Sequence, residues 1–197
     1  MLNLLLPLCA YLVGSVSSAI IVSKLMGLPD PRTSGSNNPG ATNVLRLGGK
    51  KAAVITLFGD VLKGLLPVLI AKMLTASSLT IALVGISAFL GHLYPLFFGF
   101  KGGKGVATAA GVFIGISGVI TLVLIGIWLT TAFISRYSSL AALVATISAP
   151  LLVLLLVPGF PFFIMACVIA AFLFWRHREN IARLIRGEES KIKLSRD

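Results

Sequence analysis

Six apolar runs follow one another with little between them: Leu4–Val22, Ala52–Ala71, Leu79–Phe98, Val106–Ile134, Leu140–Val157 and Phe160–Trp175. About 20 apolar residues in a helix cross the roughly 30 Å of hydrocarbon in a bilayer. Runs of this length, so closely spaced, leave no stretch for a separate water-soluble module. Composition agrees: 57% of the 197 residues are hydrophobic, 12% are charged and the mean hydropathy is +1.00. A soluble domain needs more polar surface. The fold class is therefore an all-α integral membrane protein, read as one transmembrane domain over residues 1–197.

The fourth run, at 29 residues, is too long for one upright helix and short for two. Gly115-Ile-Ser-Gly118 in its middle reads as a tight turn. Splitting it gives seven transmembrane helices. Alternate segments then carry Lys24, Arg32, Arg46, Lys50, Lys51, Lys101, Lys104, Arg136, Arg176, Arg178, Arg183, Arg186, Lys191, Lys193 and Arg196 on one side, which is 15 of the 17 Lys and Arg. Lys72 alone falls opposite, and Lys63 lies within a run. With one span instead of two, the basic C-terminus would face away from the early basic loops. The positive-inside rule selects seven spans, N-terminus outside, C-terminus cytosolic. It also explains the net charge of +11 without nucleic acid. MLNLLLPLCAYLVGS has no Lys or Arg before Lys24, and Leu8 before Cys9 is too large for a lipoprotein cleavage site, so this segment is read as a retained first span. Cys9 and Cys167 fall in apolar runs and imply neither disulfide nor metal.

This topology gathers the polar sequence on the cytosolic face. In RTSGSNNPGATNVLR (Arg32–Arg46), Asn38 reads as a helix N-cap, Pro39 as the first helical residue and Ala41–Arg46 as a short helix. A glycine-rich turn feeding a helix presents backbone amides that suit phosphate, and Arg46 adds two-pronged donors. The alternative is an ordinary interhelical loop. Lys101, Gly102, Gly103, Lys104 and Gly105 likewise precede a helix at Val106. They lack the P-loop spacing, and a plain positive-inside loop is the competing reading. In WRHRENIARLIRGEE (Trp175–Glu189), read as continuing the last helix, His177 and Asn180 are three apart and share a face. A basic helix on anionic headgroups accounts for the arginines but not for that pair. Near neutral pH, His177 can bind phosphate as a cation or act as a base. Ser135–Ala142 is a fourth, smaller contribution. Phosphate-binding groups beside acyl-holding helices fit a phosphorylated lipid or its precursor.

Asp60 and Lys63, three apart inside the second run, read as an ion pair holding the bundle, with positioning of the site as the alternative. His92 reads as structural, or as orienting the loop at Lys101–Gly105. Gly111 and Gly115 read as a helix-packing pair. An organic-phosphate transporter and a lipid-binding scaffold remain rivals. Transporters bind near the midplane, whereas polar residues here crowd one surface.

GSNNPGATNVLR, GHLYPLFFGFKGGKGVAT and RHRENIARLIRGEE together resemble the three motif regions of the bacterial acyl-phosphate:glycerol-3-phosphate acyltransferases of the PlsY type. The resemblance runs the length of the chain. It implies a multi-pass enzyme of the bacterial inner membrane, with its site facing the cytosol and without cofactor or metal. Such an enzyme moves a fatty acyl group from acyl phosphate to the 1-hydroxyl of glycerol 3-phosphate, giving lysophosphatidate and phosphate in the first acylation of phospholipid synthesis. The family does not use acyl thioesters directly. The H-x4-D pattern of thioester-using glycerolipid acyltransferases is absent: Phe97 stands five after His92, and Ala182 five after His177.

By motif position the resemblance implies Lys104, His177 and Asn180 as catalytic residues. It implies Ser36, Asn38, Gly40, Thr42, Asn43, Arg46, Lys101, Gly102, Gly103, Gly105 and Ser139 as substrate-binding. Asn37 departs from a pattern that usually has Gly there. Asn tolerates left-handed backbone, so the turn is expected to survive. Cytosolic carboxylates are few and badly placed for a Ser-His-Asp triad. The base is therefore His177 or the departing donor phosphate, and the resemblance favours the phosphate.

Overall fold

In lipid each segment must close its own backbone hydrogen bonds, and the chain does so with helices. The computed structural model describes residues 1–74 and 77–192, and no strand occurs among them. Lys193 and Arg196, counted above among the cytosolic charges, lie outside the described residues. Contacts divide the chain into two units, Met1–Ile116 and Ser117–Asp197. The first holds α1 (Leu2–Gly14), α2 (Ser18–Leu25), α3 (Ala41–Leu74), α4 (Ser78–Leu93), a 3-10 turn (Leu96–Phe98) and α5 (Val106–Ile116). The second holds α6 (Gly118–Ser135), α7 (Ser138–Leu156), α8 (Phe160–Arg176) and α9 (Arg178–Ile185).

The fourth apolar run does break where its glycines and serine sit. α5 ends at Ile116 and α6 begins at Gly118. Between them, Ser117 is extended (φ −155°, ψ 114°) and its Oγ accepts the Ile120 N–H at 3.4 Å. With 11 residues, α5 is about 16 Å long, roughly half the hydrocarbon thickness. Its C-terminal carbonyls are not left open: Lys72 Nζ donates to Gly115 O at 3.0 Å and to Ile116 O at 3.5 Å. Lys72, the exception to the charge pattern, thus serves as a cation at a helix C-terminus.

The first apolar run, read as one span, is interrupted. α1 stops at Gly14, and the Ser15-Val16-Ser17 break precedes α2. Lys63 Nζ takes the carbonyl of Val16 that this break exposes, at 2.9 Å. α3 also starts earlier than its apolar run. Its first turns, Ala41–Gly48, are the expected short helix, separated from the long apolar part by Gly49 (φ 75°, ψ −171°). Five helical segments among the described residues are long and apolar enough to cross a membrane: Leu2–Leu25, Ala41–Leu74, Ser78–Phe98, Gly118–Ser135 and Ser138–Leu156. The bent pair α8 and α9 makes a sixth, and Val106–Ile116 is apolar but shorter. Leu4, Phe58, Met73, Leu122 and Phe133 are among many large apolar side chains left exposed, the pattern of a surface that meets lipid.

Glycines set how closely the helices of the first unit cross. A Cβ on Gly14 would strike the Ala88 carbonyl, and one on Gly91 would strike Tyr11 O, so α1 and α4 pack backbone to backbone. The same holds for α3 and α5, where Gly64 lies on Thr108 O and Gly111 on Val61 O. Close approach of this kind is how helices associate where no hydrophobic effect separates lipid from protein. Gly111→Leu is therefore expected to destabilise the folded protein by about 1–3 kcal/mol through overpacking. Gly126→Ala, with open space around it, is expected to leave stability unchanged or slightly raised. Unfolding of both variants in detergent micelles checks this.

Candidate active site

The first polar segment is held in shape by one side chain. Asn43, 1% exposed, donates from Nδ2 to Pro31 O at 3.0 Å and Ser34 O at 2.9 Å, and its Oδ1 accepts the Ser36 N–H at 2.9 Å. Both amide hydrogens and the oxygen are spent on the loop backbone. Asn43 thus shapes the first motif from within. Asn37 sits at φ 53° within the Ser34–Asn37 turn, closed by its N–H to Ser34 O at 3.2 Å. The left-handed turn is made there without glycine.

The expected cap differs. The helix begins at Ala41, and Gly40 rather than Asn38 flanks it, its carbonyl accepting the Asn43 and Val44 N–H groups at 3.0 Å. Pro39 is not the first helical residue because its carbonyl is turned toward the second motif, where a Cβ on Gly103 would lie 2.8 Å from it. The Asn38 amide lies over Gly40. Ser36, Thr42 and Arg46 are exposed, and Thr42 and Arg46, four apart, share the outer face of the short helix. Val44 packs inward with Ala19, Val22 and Ala52.

The second motif rests on the C-terminal end of α4. That helix stops because Tyr94 precedes Pro95. Gly102 and Gly103 are buried. A Cβ on Gly102 would strike the His92 carbonyl, and one on Gly103 would strike His92 Nε2. The Gly103 N–H donates to His92 O at 3.3 Å. Gly105 is also buried, at φ 88°, where Phe89 leaves no room for a side chain. Lys101 is exposed and Lys104 half-buried. The two motifs meet through Pro39 and Gly103. They meet again where Arg32, clamped on Asp30 at 2.6 Å, reaches Phe98 O at 3.5 Å. The guanidinium bonds hold the Asp30 carboxyl below its ordinary range.

In the second unit, the third motif does not simply continue the last helix. α8 and α9 meet at His177 with a bend of 58°. His177, 3% exposed, takes the turn with φ −96° and ψ 6°, and its Nδ1 lies 2.8 Å from Leu173 O. A carbonyl only accepts, so Nδ1 carries the hydrogen and Nε2 holds the lone pair of the neutral ring. An acid holding Nδ1–H, as in a hydrolytic triad, is thereby replaced by backbone. Three residues on, Asn180 is buried and donates to Glu189 Oε1 at 2.6 Å. Ser139 Oγ donates to the same oxygen at 2.7 Å, and Arg183 Nε to Oε2 at 2.7 Å.

Sequence reasoning passed over Glu189. Its signal was Gly187 just past α9. At φ 72°, Gly187 lets the Glu188 N–H return to Arg183 O at 2.8 Å and turns the chain back on the helix. Beyond it, the Ile192 N–H binds Arg136 O at 2.7 Å, and Lys191 sits over the Tyr137 ring at 5.7 Å. Burial pushes the Glu189 carboxyl up, while bonds from Ser139, Asn180 and Arg183 pull it down; the bonds win, and it titrates below the usual glutamate range.

The glycerol-3-phosphate acyltransferase family model matches residues 4–187, a stretch that contains the first two motifs and the third as far as Gly187. The chain belongs to the glycerol-3-phosphate acyltransferase family. A glycerol-3-phosphate acyltransferase of Thioalkalivibrio sulfidiphilus is 56% identical over 187 residues, covering 95% of this chain and 92% of that one. Another, from Methylococcus capsulatus, is 52% identical over 193 residues, covering 98% and 97%. Among solved structures, PlsY (YgiH), an integral membrane glycerol 3-phosphate acyltransferase, matches in its glycerol 3-phosphate form with TM-score 0.93 and 45% identity, covering 97% of this chain and 96% of that one. Its lysophosphatidic acid form matches with TM-score 0.90 and 44% identity over 97% and 95%. This acyltransferase is accordingly an integral membrane protein.

The depressed Glu189 pKa carries a pH signature. Its contribution to order in the segment after α9 is complete above the ordinary glutamate range and is lost as pH falls through the lower, folded value. Hydrogen exchange of residues 188–192, corrected for intrinsic rate, is expected to stay flat from neutral pH through that range and to rise only below it. In Glu189→Gln the segment is expected to exchange faster at neutral pH and to lose this dependence.

Proposed function

We propose that this acyltransferase moves a fatty acyl group from acyl phosphate to the 1-hydroxyl of glycerol 3-phosphate, releasing lysophosphatidate and inorganic phosphate. One observation carries the reading. Two irregular loops, one held by Asn43 and the other seated on His92, meet at Pro39 and Gly103 and carry the cations Arg46 and Lys104, in a chain that matches a relative in its glycerol 3-phosphate form at TM-score 0.93. Amides at a helix start and basic side chains are donors for phosphate. The chain is read as a single transmembrane acyltransferase domain with seven crossings: α1 with α2, then α3, α4, α5, α6, α7 and α8. The N-terminus lies outside and the loops bearing the motifs lie in the cytosol, at the bacterial inner membrane. The charge distribution supports this orientation.

Acyl phosphate is a mixed anhydride, so its carbonyl is already activated. The glycerol hydroxyl oxygen attacks the carbonyl carbon and a new ester C–O bond forms. The bond from that carbon to the phosphate oxygen breaks, and the phosphate leaves with the electron pair and takes the hydroxyl proton. The protein's task is then to place the partners and to offset phosphate charge. Ser36, Asn38, Gly40, Thr42 and Arg46 hold one phosphate, and Lys101, Gly102, Gly103 and Gly105 bind substrate, with Lys104 on the glycerol phosphate. Asn43 shapes the loop of the first motif. Lys104, His177 and Asn180 are the catalytic residues, His177 through Nε2; Ser139 binds substrate, and Glu189 fixes Ser139 and Asn180. Membrane lipid surrounds the apolar helices and supplies the medium for the acyl chain.

The assay is labelled glycerol 3-phosphate with synthetic acyl phosphate, added to purified enzyme in detergent. Labelled lysophosphatidate is the expected product, and no product from acyl phosphate under any condition that keeps the protein folded would overturn the reading. Lys104→Ala is expected to lower turnover by about 10²–10³-fold, and near wild-type kinetics in folded protein would remove Lys104 from the site. His177→Gln is expected to retain measurable turnover, because the donor phosphate takes the proton. Complete loss with unchanged substrate binding would make His177 the base.

A further inference from the structure

Three buried ionisable groups take no part in the mechanism above, yet they form a continuous path to the second motif. Lys63 Nζ lies 2.9 Å from Asp60 Oδ1, and the same oxygen lies 3.6 Å from His92 Nδ1. All three side chains are 6% exposed or less. The path is fixed at its far end, where Lys63 also donates to Val16 O in the break between α1 and α2. At its near end the imidazole meets the glycine loop. His92 Nε2 occupies the position a Gly103 side chain would need, with Pro39 O crowding the same position, and His92 O accepts the Gly103 N–H.

An ion pair that only held helices together would have no need of a third member reaching the loop. A buried charge also needs close partners, because a lone ion in the interior carries a large desolvation cost. Asp60 meets that need twice, with Lys63 on its own helix and with the imidazole on α4. Across 3.6 Å, longer than a hydrogen bond, the carboxylate attracts the Nδ1 edge of the ring electrostatically, while Nε2 faces the loop. Ring orientation then decides where Gly103 sits, and Gly103 sets the spacing of Lys104 from Pro39 and the first motif.

We infer that Asp60 and Lys63 are positioning residues for substrate phosphate, acting through the His92 ring on the seat of the Gly102–Gly103 loop. The inference rests on the proposed acyl transfer. Displacement of a binding loop by a fraction of an ångström lowers affinity for the ligand it holds, while a bundle-holding role lowers stability alone.

The test uses purified full-length enzyme and three variants. Asp60→Asn with Lys63→Met removes both charges together, so neither is stranded. His92→Phe keeps the ring volume without its nitrogens. The third variant combines all three changes. Wild-type turnover in the same assay tests acyl transfer separately. The first two variants are each expected to raise KM for glycerol 3-phosphate about 10- to 100-fold with KM for acyl phosphate unchanged. Melting temperature in detergent is expected to stay within about 4 °C. The combined variant is expected to match His92→Phe alone, since the pair acts through that ring. Unchanged KM for glycerol 3-phosphate with a lowered melting temperature would overturn the inference, as would fully additive effects in the combined variant. Should His92→Phe not fold, His92→Gln takes its place in both the single and combined variants, with the same outcomes.

Discussion

Everything polar in this protein depends on how an irregular backbone is kept in order beside a bilayer. Helices close their own hydrogen bonds, but the two motif-bearing loops of the first unit cannot. Each is organised by a side chain from a neighbouring helix. Asn43, on the first turn of α3, uses its whole amide on three backbone groups of the loop that precedes it. His92, at the end of α4, gives its carbonyl and its ring to the glycines that precede α5. Loops fixed in this way can direct their remaining amides at a ligand without reorganising when it arrives, which is what electrostatic stabilisation of a phosphate requires.

The same economy appears in the second unit. Glu189 is an anion among donors, and it gathers Ser139 from α7 with Asn180 and Arg183 from α9. Its carboxylate is the fixed end of the arrangement, because Gly187 and the Ile192–Arg136 bond hold the segment on which it stands. His177 is fixed differently, by the last carbonyls of α8, and its placement at the bend points its chemistry through Nε2.

Much of this was legible in the sequence. Gly115-Ile-Ser-Gly118 announced the break between α5 and α6, and the tolerance of Asn for left-handed backbone anticipated the turn at Asn37. The glycines of the second motif were visible as a loop before a helix. What escaped was non-local. The break at Ser15–Ser17 is completed by Lys63, 47 residues away, and no local pattern signals that. The helix starts at Ala41 instead of Pro39, whose carbonyl lies beside Gly103, 64 positions on. Glu189 looked like one acid in a charged tail until the fold carried it to Ser139, 50 residues earlier. The bend at His177 was hidden because Trp175–Arg186 keeps good helix-forming residues on both sides of it.

In the proposed site, side-chain support of the loop backbone, rather than the flexibility of glycine, creates the phosphate seat. Calorimetric titration of glycerol 3-phosphate into purified Asn43→Ala, beside the wild type, reads that claim directly. A loss of affinity of about tenfold or more, about 1.4 kcal/mol, is expected in protein that still melts cooperatively. Wild-type affinity in a folded Asn43→Ala enzyme would contradict it.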